Sequence, residues 1–213
     1  ACHTSTGLSR WLVSLAIGLR QGEALGLKWT DIDFKTGCVK IRRQWLRKSY
    51  SHGCRELAGC KSAASCPRRI ENERIGTLKS SAGRRDVFAP AELITVLKEH
   101  KAAQAACRLR AGDCWSEDGW VFTTASGGPL DHRADLRSYK RLLARAELRD
   151  SRLHDLRHTN ATLMLLEGID PRVVREFLGW STDMTGRYQH VVEELRLDAS
   201  RKVASRLFGG SSQ

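Results

Sequence analysis

The sequence predicts an α+β domain that is predominantly helical and contains one small antiparallel three-stranded sheet. Apolar residues recur at helical spacing in several segments, the first of which contains Leu8, Trp11 and Leu15. Only two short stretches, residues 37–45 and 74–90, alternate in the way that strands do. With 213 residues, 41% of them hydrophobic, the chain can bury a core of its own.

The chain opens with two predicted helices joined at "GLRQGE", where Gly18 and Gly22 interrupt the helical pattern. Arg20 lies in this glycine-flanked turn. Glu23 follows three residues later on the same helical face, so its carboxylate can hold the guanidinium of Arg20. The same pair is also explained as a local salt bridge without a further role.

The two strand segments are expected to form the sheet, with "SSAG" as the turn between two basic arms of a hairpin. Lys79 enters this hairpin, where it is either a cation carried to a ligand or an ordinary solvated lysine. Between the strand segments lies an insertion, residues 49–70. It is rich in glycine, serine and cysteine and is too long for a hairpin connection.

The insertion contains one imidazole and three thiols within fifteen residues, contributed by His52, Cys54, Cys60 and Cys66. Such a set can surround one tetrahedral zinc ion, which would be structural. The spacing is not the paired C-x2-C arrangement of zinc knuckles, and a flexible basic loop with free thiols is the alternative. The odd total of seven cysteines favours thiols or metal ligands over a disulfide framework.

The second half of the chain is predicted to be helical over residues 90–111, 133–147, 152–168, 170–179 and 192–207. An apolar segment, "GWVFTT", and a loop, "SGGPLD", separate the first two of these helices. The boundary signals are complete around residues 170–179, where Asp170 is the expected N-cap, Pro171 the first helical residue and Gly179 the stop.

The predicted helix at 152–168 begins with "RLHDLRH", which places His154, Arg157 and His158 in or next to its first turn. The helix dipole leaves partial positive charge at this end, so cations are unfavourable there unless an anion is bound. A phosphate is the anion that the pattern favours. For His154 alone, a hydrogen bond to the helix backbone is the alternative.

The formal charge is +12, from 36 lysines and arginines against 24 acidic residues, and the basic residues are spread along the whole chain. This distribution favours a broad surface that binds a polyanion, nucleic acid before membrane. A merely soluble basic surface is the alternative. The sequence shows neither a signal peptide nor a spanning segment, so we expect an intracellular protein.

Four ordered segments together resemble the conserved boxes of the tyrosine recombinases, also called phage integrases. These segments are "GLRQGEALGLKWTDID", "LKSSAGRRDV", "LHDLRHTNATLMLLEG" and "VVREFLGWSTDMTGRYQHV". The resemblance extends from Leu8 to about Phe208. It implies the catalytic domain of a site-specific DNA recombinase, with the small sheet and the helices described above.

The resemblance also implies roles for individual residues. The catalytic set would be Arg20, Lys79, His154, Arg157, Trp180 and Tyr188, with Glu23 supporting Arg20. Tyr188 would be the nucleophile that forms a 3′-phosphotyrosine bond with DNA. Trp180 stands where most members have a second histidine, and its indole N–H can donate a hydrogen bond but cannot move a proton. A packing role is the alternative for Tyr188.

Further expectations follow from the resemblance. The chemistry would need no ATP, metal or other cofactor, and the partner would be double-stranded DNA, bound as a homotetramer on paired sites and as a monomer without DNA. Accessory directionality proteins and a nucleoid-associated location in the cytoplasm of a bacterial or phage-infected cell are expected, and no membrane partner. Residues 1–213 would be a catalytic fragment that lacks upstream DNA-binding domains.

Two other functions stay open at this point. A type IB topoisomerase shares the covalent tyrosine chemistry but relaxes supercoils instead of exchanging strands between two sites. A non-catalytic DNA-binding regulator could use the helices at 152–168 and 170–179 as a recognition pair. That function would leave Tyr188 without a task.

Overall fold

The computed structural model describes residues 6–54, 61–78 and 81–181, together with residues 197, 200, 201 and 203–206. The two predicted opening helices are confirmed as α1, Thr6–Ala16, and α2, Gln21–Leu25. Gly18 connects them with a φ of +62°, and a Cβ atom there would lie 2.2 Å from Cδ2 of Leu178. Only glycine suits both this backbone angle and this close approach.

Six short strands form one long hairpin, which we call the hairpin arm (residues 38–88). The outgoing strands are β1, Cys38–Ile41, β2, Arg43–Trp45, and β3, Tyr50–Ser51. The returning strands are β4, Ile70–Glu71, β5, Ile75–Thr77, and β6, Arg85–Phe88. The pairs β1–β6, β2–β5 and β3–β4 are all antiparallel and two-stranded.

The antiparallel pairing was predicted, but its arrangement differs from the expected three-stranded sheet. β5 and β6 do not pair with each other around "SSAG"; they pair with β2 and β1. Val39 faces Val87 across the β1–β6 ladder, and both are buried. This shared inward face sets the register, since a slip by one residue would turn both valines towards solvent. The described residues between β5 and β6, residue 78 and residues 81–84, therefore belong to neither ladder.

The remaining helices are α3, Ala91–Ala111, α4, His132–Arg145, α5, Asp155–Leu166, and α6, Pro171–Leu178. All four were predicted, with ends displaced by at most a few residues. Of the predicted final helix at 192–207, the described residues are helical, and the others lie outside the described part of the chain.

The largest core cluster packs α1 and α2 against β1, β6 and α3. Its most deeply buried residues include Val13, Ile17, Leu97 and Val121. A second cluster joins α5 to α6 and includes Trp180. Among the described residues, no helix has both the length and the apolar character that a membrane span requires.

A buried polar contact fixes α4 against the two opening helices. Arg10 of α1 pairs with Asp135 of α4 at 3.0 Å, and both side chains are almost fully buried. Gln21 of α2 donates to the same carboxylate and to the backbone oxygen of His132, each at 2.9 Å. These bonds hold the start of α4 beside the turn that carries Arg20.

Candidate active site

Three consecutive carbonyl groups at the C-terminal end of α6 each accept a hydrogen bond from a different arginine. Nε of Arg85 donates to Phe177 O at 2.7 Å, Arg157 donates to Leu178 O, and Nη2 of Arg20 donates to Gly179 O at 3.2 Å. The last carbonyls of a helix have no partner within it and carry partial negative charge. The α6 end (Phe177, Leu178 and Gly179) therefore collects three guanidinium groups.

Glu23 of α2 links two of these arginines. One carboxylate oxygen lies 2.6 Å from Nη1 of Arg20, and the other lies 3.0 Å from Nη2 of Arg85. The second oxygen also accepts from the backbone N–H of Arg20 at 3.0 Å. Burial raises the pKa of Glu23, but Arg85 and then Arg20 lower it, and the net pKa lies below its usual value. Glu23 is therefore an ionised support for both arginines.

Arg85 was not singled out from the sequence. It lies in β6, where Arg85 and Val87 point inward and Asp86 and Phe88 point outward. The guanidinium of Arg85 is almost fully buried and also donates to Gly83 O at 3.1 Å. The sequence carries one signal for this burial: Arg85 and the apolar Val87 are two residues apart in a strand, so their side chains lie on the same face of it.

Arg157 of α5 is 2% exposed. Its Nη1 donates to Gly18 O at 2.6 Å, and its other terminal nitrogen donates to Leu178 O. Carbonyl groups that follow α1 and end α6 therefore balance part of the charge of Arg157, and the binding of an anion at this helix start stays a prediction. The guanidinium also lies 5.9 Å from the centre of the Trp180 ring.

His154 occupies the N-cap position of α5, and its side chain makes no capping hydrogen bond to the first turn, all of which is described. The ring packs edge-on against His158, with centroids 4.8 Å apart. Burial lowers the pKa of His154, and His158, Arg157 and Arg20 lower it further. The imidazole is therefore neutral at pH 7 and can accept a proton.

Arg20 and His154 line one open cleft of about 420 Å³. The lining also includes Arg47 and His132, and no acidic side chain is among the described residues that form it. The side chain of Arg20 is 41% exposed, so its charge faces this cleft while Glu23 holds it from behind. The cleft therefore has the electrostatics of an anion site.

Trp180 follows α6 directly and is 8% exposed. Its ring packs on the α5–α6 cluster, and its backbone N–H donates to Arg175 O at 3.0 Å. The chain thus places Trp180 beside the α6 end. Two predicted catalytic residues, Lys79 and Tyr188, lie outside the described residues.

A described residue close to Lys79 in the chain approaches the α6 end. Ala82, three residues after Lys79 in the chain, has its carbonyl oxygen 2.6 Å from the position that a Cβ on Gly179 would take. Ser181, the last described residue before Tyr188, directly follows Trp180.

A model described as the phage integrase family matches residues 6–194. This chain belongs to the phage integrase family. The integrase of Saccharopolyspora erythraea is 34% identical to this family member over 232 residues, which cover 94% of the chain and 53% of the relative. A XerC-like tyrosine recombinase of Caldanaerobacter subterraneus subsp. tengcongensis is 35% identical over 194 residues, covering 89% of the chain and 46% of the relative. The chain spans about half the length of the curated relatives it matches.

Solved structures of similar fold include recombinases. The Tn1549 transposon integrase, in complex with circular intermediate DNA, matches with a TM-score of 0.61 at 19% identity over 93% of this chain and 59% of that one. XerA recombinase matches with a TM-score of 0.60 at 19% identity over 91% of this chain and 58% of that one. At these identities the likeness concerns the fold, and it confirms the predicted fold class of this integrase-family chain.

The described cysteines of this integrase-family chain differ in their bonding. Cys38, Cys66 and Cys114 are free thiols, whereas Cys107 of α3 is disulfide-bonded. The prediction of thiols in place of disulfides is therefore wrong for Cys107.

Three of the four predicted metal ligands come together at the tip of the hairpin arm. Ligand atoms of His52, Cys54 and Cys66 lie within 4.8 Å of one another. We call these three residues the cysteine cluster. Cys60, the fourth predicted ligand, lies outside the described residues.

Proposed function

We propose that this chain is the catalytic domain of a site-specific DNA recombinase that integrates or excises a mobile element. The reaction would break and rejoin DNA strands through a 3′-phosphotyrosine intermediate. The observation that carries the proposal is the convergence of Arg20 and Arg157 on neighbouring carbonyls of the α6 end, with His154 lining the same cleft as Arg20. Membership of the phage integrase family and the names of the relatives support it.

In this mechanism the two arginines stabilise the phosphate during strand cleavage. Arg20 is held on one side by Glu23 and is open to the cleft on the other, so it can bind a non-bridging oxygen without reorganisation. Arg157 is held by carbonyls that follow α1 and end α6, which places its charge next to that of Arg20. Both charges oppose the negative charge that grows in a five-coordinate transition state.

Proton transfer is assigned to His154 and Lys79. A tyrosine hydroxyl has a pKa of about 10, so Tyr188 needs help to attack as a phenolate at neutral pH. His154, neutral because its pKa is lowered, can take that proton or bond the phosphate. Lys79 would protonate the departing 5′-oxygen, and Trp180 would donate a hydrogen bond. The phosphotyrosine retains the energy of the broken bond, so the proposed reaction uses no cofactor.

The proposed partner is double-stranded DNA, bound by the basic cleft and the basic surface around it. We further propose that the chain is a monomer alone and a homotetramer on paired sites, with accessory proteins that set direction. Light scattering with and without a DNA fragment carrying two sites tests the assembly. A stable tetramer without DNA would contradict this part of the proposal.

The decisive experiment is adduct formation on a nicked suicide substrate. Tyr188→Phe should abolish the covalent protein–DNA adduct and leave DNA binding nearly unchanged, because it removes only the nucleophilic oxygen. Tyr50→Phe is the matched control and should retain the adduct. An adduct that persists in Tyr188→Phe would exclude Tyr188 as nucleophile, and absence of any adduct in the unmodified chain would favour a DNA-binding regulator. Relaxation of supercoiled DNA without exchange between sites would indicate the topoisomerase alternative.

A further inference from the structure

We propose that His52, Cys54 and Cys66 bind a structural zinc ion at the tip of the hairpin arm. Sγ of Cys54 lies 3.7 Å from Nδ1 of His52 and 3.3 Å from Sγ of Cys66. His52 and Cys54 directly follow β3, and Cys66 shortly precedes β4. The ion would therefore join the segment that follows β3 to the segment that precedes β4.

The spacing of the three ligand atoms suits tetrahedral zinc. Zinc–sulfur bonds of about 2.3 Å and zinc–nitrogen bonds of about 2.0 Å give edges of roughly 3.5 to 3.8 Å between ligand atoms in a tetrahedron. The observed separations lie close to this range, and all three atoms fall within 4.8 Å of one another. Two thiolates and an imidazole select a thiophilic ion such as zinc over magnesium or calcium.

The burial pattern around the cluster also indicates a bound ion. Cys66 is 1% exposed, and it is the single buried residue in 61–70. The neighbouring ladder pairs two residues on each strand, and Ile70 within it is 58% exposed. A ladder this short with no apolar face is unstable on its own. Metal binding supplies ordering free energy of the kind that an apolar core would otherwise provide.

Gly53 makes the approach of the two strands feasible. A Cβ atom on Gly53 would lie 2.0 Å from the carbonyl oxygen of Arg68, a contact that no other residue can accept. The glycine thus lets the segment that carries His52 and Cys54 pass directly against the segment that carries Cys66. The local backbone is arranged to bring the ligands together.

Closing the tip with an ion has a consequence for its basic residues. The backbone N–H of Arg69 donates to Cys66 O at 3.0 Å, and its guanidinium stacks 4.8 Å from the centre of the Tyr50 ring. The first contact joins Arg69 directly to a residue of the cluster, and the second joins it to β3. Zinc would hold Arg69 and the neighbouring Arg68 in place on the surface of the arm.

The test is metal analysis of the full chain, purified under reducing conditions without chelator and measured on the monomeric fraction. We expect a zinc-to-protein ratio of about one, as for a single structural site. Cys66→Ser and His52→Gln should each lower the ratio several-fold. Cys114→Ser, which removes an exposed free thiol elsewhere, should leave it unchanged. Because the readout is metal content, failure of the proposed recombinase activity would not affect it.

A second measurement covers the case in which a variant does not fold. In the unmodified chain, alkylation of Cys54 and Cys66 followed by mass spectrometry should be slow, become fast after a zinc chelator is added, and slow again when zinc is restored. Cys114 should react equally in all three states. A zinc ratio near zero, a ratio that is unaffected by Cys66→Ser, or a Cys54–Cys66 disulfide in the reduced preparation would each overturn the proposal.

Discussion

Arg85 offers the sharpest test of how the α6 end is held, because the structure describes every partner of its guanidinium that the prediction uses. Arg85→Ala removes the bond to Phe177 O at 2.7 Å and the ion pair with Glu23 at 3.0 Å. Arg84→Ala is the matched control, since it removes the same charge from the preceding position, where the side chain is exposed.

The expected loss in the free energy of unfolding follows from these contacts. Breaking a buried ion pair by removing one partner costs about 3 to 5 kcal/mol. Glu23 keeps Arg20 as a partner, which reduces the loss of stability. The carbonyl of the partly buried Phe177 loses its donor, which costs at most about 1 to 3 kcal/mol. We therefore expect Arg85→Ala to lower the free energy of unfolding by about 3 kcal/mol, near the lower end of the ion-pair range.

Urea denaturation monitored by tryptophan fluorescence provides the measurement. With a slope of about 1 to 3 kcal/mol per molar, a loss of that size lowers the midpoint by roughly 1 to 3 M. Arg84→Ala should change the free energy of unfolding by no more than about 0.5 kcal/mol, as exposed substitutions usually do. Equal midpoints for the two variants would refute the assignment of Arg85 as a buried support of Glu23 and the α6 end.

Three further outcomes test the site. Arg20→Ala should slow strand cleavage on the order of a hundredfold, as the loss of one transition-state donor does. A loss below tenfold would indicate a binding role. Arg42→Ala, on the exposed side of the arm, is the control. The folded-state pKa of His154 is lowered, so the contribution of His154 to stability is present above its unfolded pKa of about 6.5 and is lost as pH falls below that value. His154→Gln should therefore flatten the loss of stability in this acidic range. An unchanged pH profile of stability would contradict the assigned shift. DNA affinity should fall as the salt concentration rises, and a plot of log affinity against log salt should have a slope of roughly 0.9 in magnitude for each neutralised phosphate. Arg47→Ala should reduce that slope if Arg47 of the cleft contacts a phosphate. An affinity that does not change with salt would contradict the electrostatic interpretation.

The elements that were predicted well are those whose signals lie within a few residues. α6 is an example, because Asp170 caps its N-terminus, Pro171 occupies the first turn and Gly179 ends it in the left-handed conformation. The contact between Arg20 and Glu23 is another, since a separation of three residues fixes their proximity once α2 begins. The order of the four sequence boxes also predicted the family.

The strand pairing was predicted less well for a reason that local patterns do not contain. Alternation showed that residues 75–77 and 85–88 are extended, but it does not state which strand each one joins. The burial of Val39 opposite Val87 decides this, and the two residues are far apart in the chain. Pairing is a property of the shared core, so only the folded arrangement selects it.

The amino-acid sequence by itself determined the helices, their ends, the basic character of the chain and the residues that identify its family. The tertiary structure decided how the charges are balanced. Arg157, predicted from its helix to face an anion, donates to Gly18 O, 139 residues away, and Arg85 reaches Glu23 across 62 residues. The last carbonyls of α6 lack partners inside their own helix, so they accept bonds from whichever donors packing brings to them. Those donors come from α5, β6 and the turn before α2, and their meeting depends on the core that packs these elements together.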